Sequence, residues 1–282
     1  MQLKIKRGKM TLRELYKIGI ELLKCKSDVI LLMENVFGID KLHLIICGNE
    51  PVNNVDIFFE YLERVKNGEP IQYVIGETEF LGIKLKVGKG VFIPRQETEL
   101  LVKIVSNILG DDFSGNIVDL CAGSGAIPIY LKKRFESSNV WAIEKSEEAF
   151  KFLVENAEAN RVKLNCILGD IFEESQKFEN KTFDLVISNP PYIKTKDIEF
   201  LDKNVKFEPK MALDGGDDGL DFYRKIVKFW KEKLKSGALI AFELGINQHN
   251  EVFDIMSKNR FENIRIFNDF SGIRRIIVGS KS

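Results

Sequence analysis

Apolar residues recur at helical spacing through the first quarter of the chain, then change to short runs separated by longer helical stretches. Leu12, Leu15, Ile18, Leu22 and Leu23 mark one helix face, and Thr11 followed by Glu14 has the form of a capping box. Ser27 and Asp28 open a second segment that closes at Gly38. Residues 40–47 form a third, and Phe58, Phe59, Leu62 and Val65 mark a fourth that stops at Gly68. No strand pattern interrupts these segments, so residues 1–75 read as a small all-helical domain. Its charged faces are either solvated or part of a partner-recognition surface. Residues 68–76 read as a linker. Residues 79–87 read as extended with a turn at Gly82, and Val91, Phe92 and Ile93 form a second apolar piece ending at Pro94. The two are expected to pair as a β-hairpin, so that residues 76–95 join the halves of the chain.

From residue 96 onward a third region begins. A helix covers residues 100–109, with Glu97 and Glu99 placed where acidic groups favour a helix N-terminus. Strands then alternate with helices: strands at 117–121, 140–143, 164–168, 183–188, 238–243, 264–267 and 274–278, helices at 126–135, 146–160, 219–234 and 247–258. Such alternation predicts an α/β fold, a doubly wound and mainly parallel sheet with right-handed crossovers. The last two strands are too close for an intervening helix and should pair antiparallel. Residues 96–282 are therefore expected to form one domain.

Composition narrows the function classes. Lys+Arg and Asp+Glu both number 42, so the formal net charge is zero. A protein that wraps duplex DNA usually carries a basic excess, so no specific nucleic-acid partner is expected. Cys25, Cys47, Cys121 and Cys166 form no CxxC pair and only His43 and His249 could assist them, so no metal is expected. Scattered thiols suit a reducing cytoplasm. The opening stretch from Met1 to Arg7 has no apolar run suited to a signal sequence or membrane span. Without a long exposed apolar stripe, a monomer is expected.

The chemistry gathers at successive strand ends, where open α/β sheets bind ligands. Asp119-Leu120-Cys121-Ala122-Gly123-Ser124-Gly125 links the first parallel strand to its helix, and its glycines let a ligand approach the backbone. It is neither GxGxxG nor a phosphate-gripping GK[ST] loop. Glu144 closes the second strand about twenty residues on, where a carboxylate accepts from ribose hydroxyls. Asp170 after the third strand could accept from an adenine amino group, with Ile171 as an apolar wall. Taken singly, each is also what an ordinary turn or surface charge looks like. The fourth strand runs into Asn189-Pro190-Pro191-Tyr192. There the Asn189 oxygen and the Pro190 carbonyl suit a planar –NH2 group, and Tyr192 offers a face for stacking.

These motifs resemble the S-adenosylmethionine-dependent methyltransferases that methylate amino groups. Gly68-Glu-Pro-Ile-Gln-Tyr-Val-Ile-Gly76, Phe92-Ile-Pro-Arg-Gln-Glu-Thr-Glu99, Glu208-Pro-Lys-Met-Ala-Leu-Asp-Gly-Gly216, Gly219-Leu-Asp-Phe-Tyr223, Phe242-Glu-Leu-Gly245 with Gln248, and Asp269-Phe-Ser-Gly272 with Arg274 extend the likeness over nearly the whole chain. Together they resemble the HemK/PrmC family of release factor glutamine-N5 methyltransferases. The resemblance implies a seven-stranded, Rossmann-like class I domain and an N-terminal domain that recognises substrate. It implies S-adenosylmethionine as cofactor, held by Phe92, Asp119, Cys121, Ala122, Gly123, Ser124, Gly125, Glu144, Asp170, Ile171 and Asn189. It implies Asn189, Pro190, Pro191 and Tyr192 as the substrate site, with Asn189, Pro190 and Tyr192 catalytic. The implied partner is a class 1 peptide chain release factor, methylated on its Gly-Gly-Gln glutamine. The alternatives are a large-subunit ribosomal protein or, on a flipped base, DNA adenine or cytosine. Cys121-Ala122 stands where the family usually has Gly-Thr, and Gln96 where it has proline. Carrying a side chain, Cys121 is expected to keep a negative φ.

Overall fold

The computed structural model describes residues 10–282; the Met1–Arg7 stretch weighed above as a leader lies outside the described residues. Among the described residues no helix is long and apolar enough to cross a membrane. The chain divides into two compact units, Met1–Gly76 with Lys203–Phe207, and Glu77–Asp202 with Glu208–Ser282.

The first unit is built from α1 (Leu12–Leu23), α2 (Lys26–Phe37), α3 (Lys41–Cys47), α4 (Val55–Lys66) and α5 (Ile71–Ile75). The capping box is present: Glu14 N–H donates to Thr11 Oγ1 at 3.3 Å and Thr11 N–H donates to the Glu14 carboxylate at 2.9 Å. The helices close over Leu12, Leu15, Val29, Leu32, Met33, Phe58 and Leu62. Two differences from expectation arise here. Met10–Thr11 (β1) pairs with Pro51–Val52 (β2), strands too short to leave an alternation in the sequence. The stretch read as a linker winds into α5, which buries Ile71, Tyr73 and Val74 and stops at Gly76 in the left-handed region. A five-residue helix is likewise too short to show a period. On α3, Leu42, Ile45 and Ile46 remain 62%, 63% and 71% exposed on one helix face.

In the second unit, β3 (Glu77–Phe80) and β4 (Ile83–Lys86) pair with each other. The expected hairpin between residues 79–87 and 91–93 is therefore corrected. Leu81 (φ 50°) and Gly82 (φ 77°) form a two-residue turn that matches strand twist, so the hairpin closes on itself and Val91–Ile93 forms no strand. The hairpin is tied to the core by Asn156, which accepts from Lys86 N–H (2.7 Å) and donates to the carbonyls of Lys86 (3.0 Å) and Ser124 (2.9 Å).

The main sheet is seven-stranded. Its strands are β5 (Asn116–Leu120), β6 (Asn139–Glu144), β7 (Asn165–Leu168), β8 (Phe183–Ser188), β9 (Leu234–Glu243), β10 (Phe261–Asn268) and β11 (Arg274–Lys281), in the order β10-β11-β9-β8-β5-β6-β7. Strands β9, β8, β5, β6 and β7 run parallel, and β11 pairs antiparallel with both β9 and β10. Alternation along each strand feeds two cores. Val118, Val186, Ile240 and Phe242 pack with α10 (Asp221–Trp230) and α11 (His249–Lys258). Ile117, Leu185, Ile187 and Ala241 pack with α6 (Gln96–Leu109) and α7 (Ala126–Arg134). The helix α8 (Glu147–Ala159) places Leu153 beside Ala122 and Ala142. Buried on both faces, the strands are nearly continuous in apolar residues, which is why they were legible. Chain order reverses between β5 and β8, so the carboxyl ends of these neighbours flank the switch-point crevice.

Candidate active site

Strand β5 ends at Leu120, and the chain must turn at once to let Ala122 N–H reach the Ile143 carbonyl on β6 (3.0 Å). On the other side the Ser188 hydroxyl donates to the Leu120 carbonyl at 2.5 Å. Held from both flanks, Cys121 adopts φ 65°, which corrects the expectation of a negative value. The left-handed conformation costs an L-residue roughly 1–2 kcal/mol, and the surrounding sheet supplies it. Cys121→Gly is accordingly expected to be more stable than Cys121→Ala by about 1 kcal/mol in urea unfolding. Both variants lose the thiol, so equal stabilities would contradict a strained backbone.

The loop continues through Gly123 (φ 56°) and Gly125 (φ 87°) into α7. Glu144, at the end of β6, accepts from Gly123 N–H (2.8 Å) and Ser146 N–H (2.7 Å), so one carboxylate organises both the glycine loop and the start of α8. Burial raises the Glu144 pKa, and these N–H groups pull it back. Asp170 caps the short helix α9 (Ile171–Glu174) through Phe172 N–H at 2.8 Å and pairs with Lys145 at 2.9 Å. Its pKa is lowered, the Lys145 contact and the cap overcoming desolvation. Ile171 is buried. Asp119 is fully buried, and neither carboxylate oxygen has a partner among the described residues. Burial, then the nearby Glu144, push its pKa well above the ordinary carboxyl range. An unpartnered acid at a strand end is out of place in a finished core, and fits a cationic ligand group.

Strand β8 delivers Asn189, with Pro190 and Pro191 buried behind it. Asn189 Nδ2 donates to Thr98 Oγ1 (3.0 Å), and Thr98 Oγ1 in turn donates to Glu243 Oε2 (2.6 Å). Tyr192 O–H donates to Glu243 Oε1 (3.2 Å). Arg275 lies over the Tyr192 ring, 5.8 Å from its centroid. Gln248 ties the loop down, giving Nε2–H to the Tyr192 carbonyl (2.9 Å) while its Oε1 accepts from Gly245 N–H (3.0 Å). The segment Asp214–Gly219 passes so close that a Cβ on Gly215 would lie 2.7 Å from Tyr192 Cα, and one on Gly219 would collide with the Tyr192 carbonyl oxygen. Glycine at both positions is a packing requirement of the Asn189–Tyr192 loop.

Phe92 is half-buried and carries Arg95 over its ring at 4.9 Å. Arg95 itself pairs with Glu208, a carboxylate that also accepts from Ile93 N–H (3.0 Å), and not with its sequence neighbour Glu97. Ala122 and Ser124 are buried in the glycine loop beside these groups. Asn156 escaped the sequence reading entirely, and Thr98, Glu243 and Gln248 entered it only inside motifs, without a role. Their parts depend on side chains meeting across 91 and 145 residues of chain, which no local pattern displays. Elsewhere, among the described residues, His43, Cys47 and Glu50 bring ligand-type atoms within 4.8 Å of one another. The cluster is largely exposed, and Glu50 hydrogen-bonds the Cys47 thiol and raises its pKa.

Both units of the chain are similar to known proteins. Residues 14–76 match the PrmC N-terminal domain and residues 83–206 the Methyltransferase small domain. The release factor glutamine methyltransferase of Thermodesulfovibrio yellowstonii is 37% identical over 270 residues, covering 87% of this chain and 94% of that protein. That of Clostridium botulinum is 33% identical over 283 residues, covering 96% and 100%. Among solved structures, a methyltransferase from Pyrococcus furiosus shares the fold with a TM-score of 0.54 at 17% identity, over 72% of this chain and 90% of that one. The hMettl16 catalytic domain does so with a TM-score of 0.59 at 14% identity, over 83% and 94%. At such identities the structural likeness speaks for the fold alone, whereas the sequence matches run through both units. The chain belongs to the release factor glutamine methyltransferase family.

Proposed function

We propose that this methyltransferase transfers the methyl group of S-adenosylmethionine to the side-chain amide nitrogen, N5, of the Gly-Gly-Gln glutamine of class 1 release factors, working as a cytoplasmic monomer without a specific nucleic-acid partner. The observation that carries the reading is the anchored Asn189 amide. Its –NH2 group is turned toward Thr98, to which it donates one hydrogen, so Oδ1 is the atom left to accept, and it has no partner among the described residues. Beside it the Pro190 carbonyl is a second acceptor on a rigid loop. Two acceptors side by side suit the two hydrogens of a primary amide.

The cofactor fits the strand ends. Glu144 retains lone pairs for ribose hydroxyls beyond its two backbone bonds, and Asp170 does so for an adenine amino group, with Ile171 as the apolar wall. Gly123, Ser124 and Gly125, with Cys121 and Ala122, allow close backbone approach, unpartnered Asp119 suits a cationic end, and Phe92 is placed in the role of a lid. When bound, S-adenosylmethionine supplies an electrophilic methyl group on a positively charged sulfur. The protein's task is then positioning. An amide nitrogen is a weak nucleophile because its lone pair is delocalised into the carbonyl. Acceptors at Asn189 Oδ1 and the Pro190 carbonyl hold both N–H bonds, and the Tyr192 and Pro191 faces hold the amide plane. Orientation of this kind contributes roughly 7–11 kcal/mol of barrier reduction in favourable cases. The nitrogen sheds its proton after it gains the methyl, so no strong base is required at the site.

We assign the helical unit to recognition of the protein substrate. The exposed Leu42, Ile45 and Ile46 on α3 support this, because an apolar patch left open on a small domain commonly marks a binding surface. Incubation with radiolabelled cofactor and, in parallel, a release factor, ribosomal proteins and DNA tests the substrate class. Label is expected in the release factor; label in either of the others would replace the reading.

A further inference from the structure

Glu243 is wholly buried at the end of β9, yet it is neither a strand-end ligand for the cofactor nor one of the acceptors placed around the substrate amide. Its two oxygens are divided: Oε2 takes the Thr98 hydroxyl at 2.6 Å and Oε1 takes the Tyr192 hydroxyl at 3.2 Å. It thereby touches two segments that meet only in space, the start of α6 and the loop after β8. Its own backbone carbonyl accepts from the Tyr223 hydroxyl at 2.9 Å, which pins the strand end from α10.

The hydrogen inventory of this cluster has a consequence for Asn189. A hydroxyl has one proton to give. While the Glu243 carboxylate takes the Thr98 proton, Thr98 Oγ1 offers only lone pairs. Asn189 must then present its –NH2 to Thr98, and its oxygen is turned away from Thr98. Were the Thr98 proton released from Glu243, the hydroxyl could donate to Asn189 Oδ1, and the amide would gain an equally good hydrogen bond in the flipped orientation. A flipped Asn189 offers N–H groups to an incoming N–H, which is repulsive.

We propose that Glu243 and Thr98 form a positioning relay: the carboxylate fixes which way the Thr98 hydroxyl points, Thr98 fixes which face of the Asn189 amide meets the substrate, and the same carboxylate holds the Tyr192 ring in place. The inference rests on the reading of Asn189 as an acceptor for the substrate amide. Neither Glu243 nor Thr98 touches the reacting atoms in this scheme.

The relay requires the ionised carboxylate. Burial pushes the Glu243 pKa up to about 7, against the pull of Thr98, Arg275 and Tyr192; Glu97 pushes it further up. The groups that face it are Thr98 and Glu97 from α6, Tyr192 from the loop after β8, Arg275 from β11 and Tyr223 from α10. Tyr192 and Tyr223, both raised by burial, stay protonated, so Glu243 is the group whose charge changes near neutrality. Protonated on Oε2, it donates to Thr98 Oγ1 instead of accepting from it, and so frees the Thr98 proton.

The test uses the full chain with S-adenosylmethionine and a release factor, read as single-turnover methylation from pH 6 to 9 alongside cofactor affinity by calorimetry. Wild type is expected to show a one-proton rise centred near pH 7. Thr98→Val is expected to slow transfer on the order of 10²-fold while cofactor affinity stays within about threefold, and Thr98→Ser, which keeps the hydroxyl, to recover most of the loss. Glu243→Gln is expected to lower the plateau and abolish the rise. A Thr98→Val enzyme at the wild-type rate, or a Glu243→Gln enzyme that keeps the rise, would overturn the relay while leaving the methylation reading intact. Wild type that methylates no release factor would instead remove the reading on which it rests. If Glu243→Gln does not fold, the contrast between Thr98→Val and Thr98→Ser decides alone.

Discussion

Asn189→Ala is expected to slow methyl transfer on the order of 10³-fold while cofactor affinity changes by less than about threefold, a loss of roughly 4 kcal/mol in the transition state alone. The asymmetry follows from where Asn189 sits. The glycine loop, Glu144 and Asp170 lie at the ends of β5, β6 and β7, whereas Asn189 extends β8 and donates from its –NH2 to Thr98. Alanine therefore removes the acceptor proposed for the substrate amide and leaves those strand ends untouched. Asn189→Asp sharpens the comparison. It keeps an acceptor but loses the donor to Thr98, and it brings a second carboxylate near Glu243, so an intermediate loss is expected. Rapid-quench turnover and calorimetry, run on the same preparations, separate the two effects. Equal losses in rate and in cofactor affinity would show that Asn189 serves the cofactor first.

The second large effect concerns stability. Glu208 has a side chain only 1% exposed, and it accepts from both Ile93 N–H and the Arg95 guanidinium. Arg95→Met leaves that carboxylate buried without its counter-charge. Removing one partner of a buried pair costs about 3–5 kcal/mol, and the lower end applies because the Arg95 side chain is itself 33% exposed. The loss is expected to depend on pH in a defined direction. Burial raises the Glu208 pKa even in the wild type, against the opposing pull of Arg95 and Ile93 N–H. A carboxyl raised in the folded state is favourable when protonated and turns costly as pH climbs from its unfolded value through its folded one. Without Arg95 the folded value rises further and the costly window widens upward. The variant should therefore lie nearest the wild type at pH 5 and furthest below it at pH 8, in urea unfolding at both. A deficit independent of pH would mean that the guanidinium stabilises through its packing on Phe92 instead.

The parts of this molecule legible in the sequence share a physical basis. Strands buried on both faces must be apolar throughout, so β5, β6, β8 and the core of β9 announced themselves, and glycine or proline marked where β5, β8 and β9 turn into loops. The seven-stranded sheet with its antiparallel terminal pair follows from spacing alone once those strands are placed. Elements of two to five residues, such as β1, β2 and α5, carry no period to detect. The turn at Gly82 was expected, but the hairpin's pairing was misjudged because leucine at 81 rarely takes the positive φ of a two-residue turn, and Cys121 was misjudged for the same reason. In both places tertiary contacts override the local preference. The site divides in a similar way. Asp119, Glu144, Asp170 and Asn189 lie at strand ends and could be found one at a time. Thr98 and Glu243 acquire their roles only when α6 and β9 come together around Asn189.

The central claim is that the Asn189–Tyr192 loop presents a glutamine side-chain amide for methylation. The most direct measurement is peptide mass spectrometry of a release factor after incubation with this enzyme and S-adenosylmethionine. A single added methyl is expected on the amide nitrogen of the Gly-Gly-Gln glutamine, strongly diminished at equal incubation time when Asn189→Ala replaces the wild type. A methyl on any other residue, or one that persists undiminished in Asn189→Ala, would contradict the account.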